Sequence, residues 1–133
     1  MLKRTLKIGR WVVDFLFAVS EYDEEGVLSV LYDMDAPPET MMRANKIMGL
    51  GKNRGFTYAN QELRRAAVVI GPASSGKQFQ NTVVHELHHL AVAIAKSLGV
   101  DLDGEDPAYL SGDSAMEIAD IICTLGCRCC NRK

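Results

Sequence analysis

Trp11, Val13, Phe15, Phe17 and Val19 alternate with Val12, Asp14, Leu16 and Ala18. A period of two in aromatic and branched residues predicts a strand from Trp11 to Val19. The period changes after Asp23. In EEGVLSVLYDM, Val27, Leu28, Leu31 and Met34 share one helical stripe, with Asp23 placed to cap it and Gly26 weakening it. APPET breaks the chain and opens a second helix to about Met48, with Pro37 or Pro38 in its first turn. FTYAN and RRAAVVIG, with a turn at Asn60 to Glu62, predict an antiparallel hairpin.

A long helical pattern follows from about Lys77 to Leu98. Ser75 and Gln78 match the S-x-x-Q capping pattern, and Gly99 suits the far end. The acidic connection VDLDGEDP leads to a last helix from Glu105 or Pro107 to about Cys123. The expected fold class is α+β. A small antiparallel sheet carries four helices, in one domain over residues 1–133.

Composition changes this picture little. A chain of 133 residues with 47% hydrophobic and 24% charged residues fits one globular core. The net charge of -2, with scattered lysines and arginines, lacks the basic footprint of a nucleic-acid binder. Lys3, Arg4, Lys7 and Arg10 before an apolar stretch superficially resemble a secretory leader, but Asp14 and the acids Glu21 to Glu25 argue against one. No run is long enough to span a bilayer. Cys123, Cys127, Cys129 and Cys130 crowd the C-terminal end, too close together to staple the fold. They suggest a cytoplasmic setting and exposed thiols on a loose tail over about 124–133.

Two stretches suggest chemistry. Gly71 to Lys77 (GPASSGK) follows a strand and precedes a helix, as a phosphate-binding loop would. Gln78 stands where that pattern needs a magnesium-binding hydroxyl, and no later strand carries an acidic partner. A turn and helix cap is the simpler reading, with nucleotide binding the weaker one.

His85-Glu86-Leu87-His88-His89 is the second stretch. Histidines at i and i+4 lie about 40° apart on one helical face, so both rings can reach one metal at roughly 2.0–2.1 Å. Glu86 is placed to accept a proton from water activated by zinc. With His85 at 0°, Phe79, Val83, Leu87, Leu90, Ile94 and Leu98 fall at about 120° to 220°. The apolar stripe can thus face the sheet while the histidines face a cleft. All three histidines of the chain lie in this pentapeptide. His88, at about 300°, reads as a surface or supporting residue.

A catalytic zinc site wants a third protein ligand. No other histidine exists, so a carboxylate is expected among Asp101, Asp103, Glu105, Asp106, Asp113, Glu117 and Asp120. Glu105 and Glu117 would lie about 18 Å apart on one continuous helix, so both cannot serve one metal. Glu105 allows the long helix to finish and the chain to return, and a carboxylate is favoured at a helix start.

The segments GFTYAN, RRAAVVIGPASSGKQFQNTVVHELHHL and GEDPAYLSGD together resemble a family of small zincin-like metallopeptidases. These occur in phage, prophage and conjugative elements and in gut Bacteroidetes. The match runs over about residues 55–113 and is looser upstream. The resemblance implies zinc held by His85, His89 and Glu105, with Glu86 as general base and a peptide or protein substrate. Pro107 departs from the family pattern. Tyr109, four residues after Glu105, either donates to a developing oxyanion or packs in the core. FTYAN is either an edge strand that binds extended peptide or core through Phe56 and Tyr58. A zinc-binding module of a mobile element, without turnover, is the alternative function.

Overall fold

The computed structural model describes residues 1–49 and 51–126. Four strands form one sheet: β1 (Leu2–Ile8), β2 (Trp11–Phe17), β3 (Gly55–Asn60) and β4 (Arg65–Ile70). Their order across the sheet is β1-β2-β4-β3. The fold is α+β as expected, but the sheet is mixed. β1 with β2 and β3 with β4 are antiparallel hairpins, whereas β2 and β4 run parallel from Val12↔Arg65 to Leu16↔Val69. A parallel pair requires a crossover between its strands. Here α1 (Glu24–Asp33), α2 (Pro38–Met48) and β3 supply it.

β1 is an element the hydrophobic pattern did not predict. Lys3, Arg4 and Lys7 mask an alternation in which Leu6 and Ile8 pack against the core. Charged side chains of this kind protect a sheet edge from further pairing. Gly9, with φ of 60°, turns the chain tightly into β2.

β2 is buried along nearly its whole length, because helices cover both sheet faces. On one face Trp11, Val13, Phe15, Phe17, Val68 and Ile70 pack against the long helix α3 (Gly76–Leu98). On the other, Leu16, Val19, Phe56 and Val69 pack against Val27, Leu31 and Met34 of α1 and its end, and Ala44 of α2. Burying each large side chain stabilises the fold by roughly 1.5–3 kcal/mol. Asp14 is the polar intrusion. It accepts from Thr5 Oγ1 (2.6 Å) and pairs with Arg65 (3.3 Å).

The helix boundaries follow their caps. Ser75 Oγ accepts from the Gln78 N–H at 3.1 Å, and Gly99, at φ of 69°, closes α3. Pro38 begins α2, as expected. Asp23 stands at the N-cap position of α1, as expected, but its side chain makes no cap bond there. Its carboxylate accepts from the Ser20 N–H (2.9 Å), within a one-turn 3-10 helix.

The last helical pattern is two helices rather than one, α4 (Glu105–Glu117) and α5 (Ala119–Gly126). Ser114 Oγ donates back to the Leu110 carbonyl at 2.7 Å, a bond that bends helices. The next turn ends at Ile118, whose side chain is fully buried in the core. Pro107 is the third residue of α4, where its missing N–H costs no helical bond. Because α5 continues to Gly126, the segment read as a loose tail from about 124 begins as helix. Cys123 lies on α5, within the helix expected there, and is disulfide-bonded. Cys127, Cys129 and Cys130 lie outside the described residues. Among the described residues no helix is long and apolar enough to cross a membrane.

Candidate active site

The buried side of α3 carries Phe79, Val83, Leu87, Leu90 and Ile94, as the 3.6-residue period predicts. Leu98 departs from that stripe and is 63% exposed, at the last turn. His85, His88 and His89 all lie on the exposed side. The Nε2 atoms of His85 and His89 are 3.2 Å apart, with their rings edge to face. Two nitrogens bound tetrahedrally to one zinc lie roughly 3.3–3.4 Å apart, so little movement separates this pair from a metal-bound one. The same spacing suits an N–H···N bond when one ring donates. His88 is set aside, its ring centroid 6.2 Å from that of His89.

Glu86 behaves differently from its neighbours. It is only 4% exposed and turns toward β3. Thr57 Oγ1 donates to Glu86 Oε1 at 2.9 Å. Beside it, Gly55 leaves no space. A Cβ there would lie 2.8 Å from Glu86 Cγ and 2.9 Å from Oε2. Strand and helix can approach this closely only because residue 55 has no side chain. One carboxylate oxygen is thus fixed by a hydroxyl, while Oε2 has no hydrogen-bond partner among the described residues. Thr57 and Gly55 were invisible to motif reading, since they lie about thirty positions away on another element. The helical angle of Glu86, toward the sheet, was the available signal.

These residues line a groove between α3 and β3. A cavity of about 400 Å³ holds His85, Glu86, His89, Thr57 and Gly55, with Arg43 reaching in from α2. A second cavity, of about 260 Å³, shares Gly55, His85 and Glu86 and continues toward Arg54 and Asn81. The groove therefore passes on both sides of Glu86. β3 is the terminal strand of the sheet, so its outer edge has no strand partner among the described residues. Phe56 and Tyr58 point to the opposite face and join the α1–α2 core.

The other predicted site residues lie elsewhere. Glu105 is exposed in the first turn of α4, and Glu117 is exposed at its end. Tyr109 is 65% exposed, so it neither packs in the core nor lines the groove. Among the described residues, no three His, Cys, Asp or Glu side chains gather as a metal site. His85 and His89 fit a zinc ion, but Glu105 is not brought to them.

Three polar groups at the Gly71–Lys77 stretch are already engaged. The Gly71 N–H donates to the Arg54 carbonyl (2.9 Å) and the Ser74 N–H to Asn53 Oδ1 (2.9 Å), while Ser75 caps α3. The loop thus ties the start of the histidine helix to the segment before β3. No family model matches the chain, and no curated protein or solved structure matches it either.

Proposed function

We propose that this chain is a small zinc-dependent peptidase that works in the groove between α3 and β3. The observation that carries the proposal is the meeting of His85 and His89 Nε2 at 3.2 Å beside a buried, hydroxyl-held Glu86. Zinc, when bound, supplies Lewis acidity and lowers the pKa of attacking water. His85 and His89 hold the ion. Glu86 Oε2 is the free oxygen, so it accepts the proton of the attacking water and returns it to the leaving amine. Thr57 keeps Oε1 in place and fixes which oxygen does this work. The unpaired edge of β3 offers main-chain groups to an extended peptide.

The likeness to small zincin-like peptidases of phage and other mobile elements supports the same reading. Glu105 and Tyr109 rest on that likeness and on spacing, and neither lines the groove. The proposal therefore gives the metal to the two histidines and the proton transfer to Glu86.

A second reading, zinc binding without turnover, is favoured by the lack of a gathered third ligand among the described residues. Digestion of a mixed peptide library separates the two, with products read by mass spectrometry. The peptidase reading predicts cleavage by zinc-loaded protein and at least a hundredfold loss in Glu86→Gln, with zinc content unchanged. Absence of cleavage at full zinc loading would leave the binding module.

A further inference from the structure

The walls of the groove are unequal in charge. Arg43 and Lys96 line the larger cavity and Arg54 lines its continuation, while among the described residues Glu86 is the only carboxylate in either. Thr57 holds one oxygen of Glu86, so three cations face this single carboxylate. None of the three cations has an ion-pair partner among the described residues. The chain as a whole carries a net charge of -2, so this bias is local and not a reflection of a basic protein.

Arg43 is also held in position. Its guanidinium lies over the Phe56 ring, 5.6 Å from the centroid, which carries it from the α2 layer to the edge of β3. A guanidinium fixed on an aromatic face keeps its forked donors free for a carboxylate. Lys96 lies two turns beyond His89 on α3, about 10.5 Å along the axis, or about three residues of extended peptide. Near Lys96 the groove is bridged by Gln61, whose amide donates to the Ala93 carbonyl at 2.8 Å.

Resting on the peptidase reading above, we propose that the groove selects acidic peptide segments, with Arg43 as the principal carboxylate-binding residue and Lys96 as the second. A carboxylate bound beside His85 and His89 meets Arg43, and one about three residues away meets Lys96. The carboxylate can come from Asp or Glu side chains or from a free C-terminus.

The test is fluorescence anisotropy on metal-free protein, so that no carboxylate is bound through zinc. The probes are labelled twelve-residue peptides rich in Glu or in Gln, each with a free or an amidated C-terminus. The expected result is about tenfold tighter binding of the Glu peptides, reduced to about twofold or less in Arg43→Ala/Lys96→Ala. Arg43→Lys should recover part of the preference. Tighter binding of every free-acid form and no effect of Glu would assign the site to the C-terminus. Equal binding of all four peptides, or a preference that survives the double substitution, overturns the proposal. Neither result touches the zinc reading, which is measured separately by metal content. Binding of none of the peptides overturns the proposal together with a peptide substrate. Arg43 and Lys96 are exposed, so thermal melts of the variants should match wild type and exclude misfolding.

Discussion

The two flanks of α3 are built for different purposes. Toward β3 the helix presents Glu86, with His85 and His89 at the margin, and meets a hydroxyl, a glycine and a groove. Toward α4 and α5 it presents apolar side chains, and the shared cluster takes in Leu87, Ile94, Leu110 and Ile118. One flank is closed by packing, and the other is held apart around a carboxylate. The comparison teaches why the helix after α3 brings no carboxylate to the histidines. Motif logic looks to the next helix, but that helix spends its inward residues Pro107, Leu110 and Ser114 on the closed flank.

Removing atoms from the closed flank should have the largest effect on stability. Ile94→Ala should cost about 2–5 kcal/mol in denaturant unfolding, through lost burial and a cavity. Where the variant still folds, its zinc content should equal wild type. His85→Ala should do the reverse, abolishing zinc binding while moving unfolding by less than about 0.5 kcal/mol in metal-free protein. If both substitutions cost stability and zinc alike, the two flanks are not separable.

Gly55→Ala comes next. Its new methyl would meet Glu86 Cγ and Oε2 and Thr82 Cγ2, all under 3.0 Å. Overpacking of this kind costs about 1–3 kcal/mol. Because the displaced group is the proposed base, peptide cleavage should fall more than tenfold beyond what unfolding explains. Unchanged cleavage would show that the position of Glu86 is not tightly specified.

Thr57→Val is the subtlest change at Glu86. It deletes the donor to Glu86 Oε1 and should cost about 1–2 kcal/mol. Its diagnostic effect is kinetic. Peptide cleavage should fall about tenfold in zinc-loaded protein, because the hydroxyl that holds Oε1 is gone. A stability loss with unchanged cleavage would reduce Thr57 to a packing residue.

Local signals were legible in the sequence and non-local ones were not. Ser75 and Gly99 fix the ends of α3 through their own backbone neighbours, so their residue types predict the caps. The histidine face was legible for the same reason, since i and i+4 are adjacent on any helix. The parallel pairing of β2 with β4 joins residues some fifty positions apart, and alternation within one strand does not name its partner. β1 was hidden by its lysines, and the break at Ile118 by the helical spacing on either side of it. Thr57 and Gly55 matter only because the fold brings β3 to Glu86.

The central claim is that His85 and His89 alone among the described residues bring a zinc ion to this groove. Its most direct test is metal content by plasma mass spectrometry, on tag-free protein purified without chelator and equilibrated with zinc. Wild type is compared with His85→Ala, His89→Ala and Glu105→Ala. The account predicts near one zinc per chain in wild type and in Glu105→Ala, and none in either histidine variant. A wild type that takes up no zinc would contradict the site. A Glu105→Ala protein that loses zinc would contradict the two-histidine account and place the α4 carboxylate on the metal.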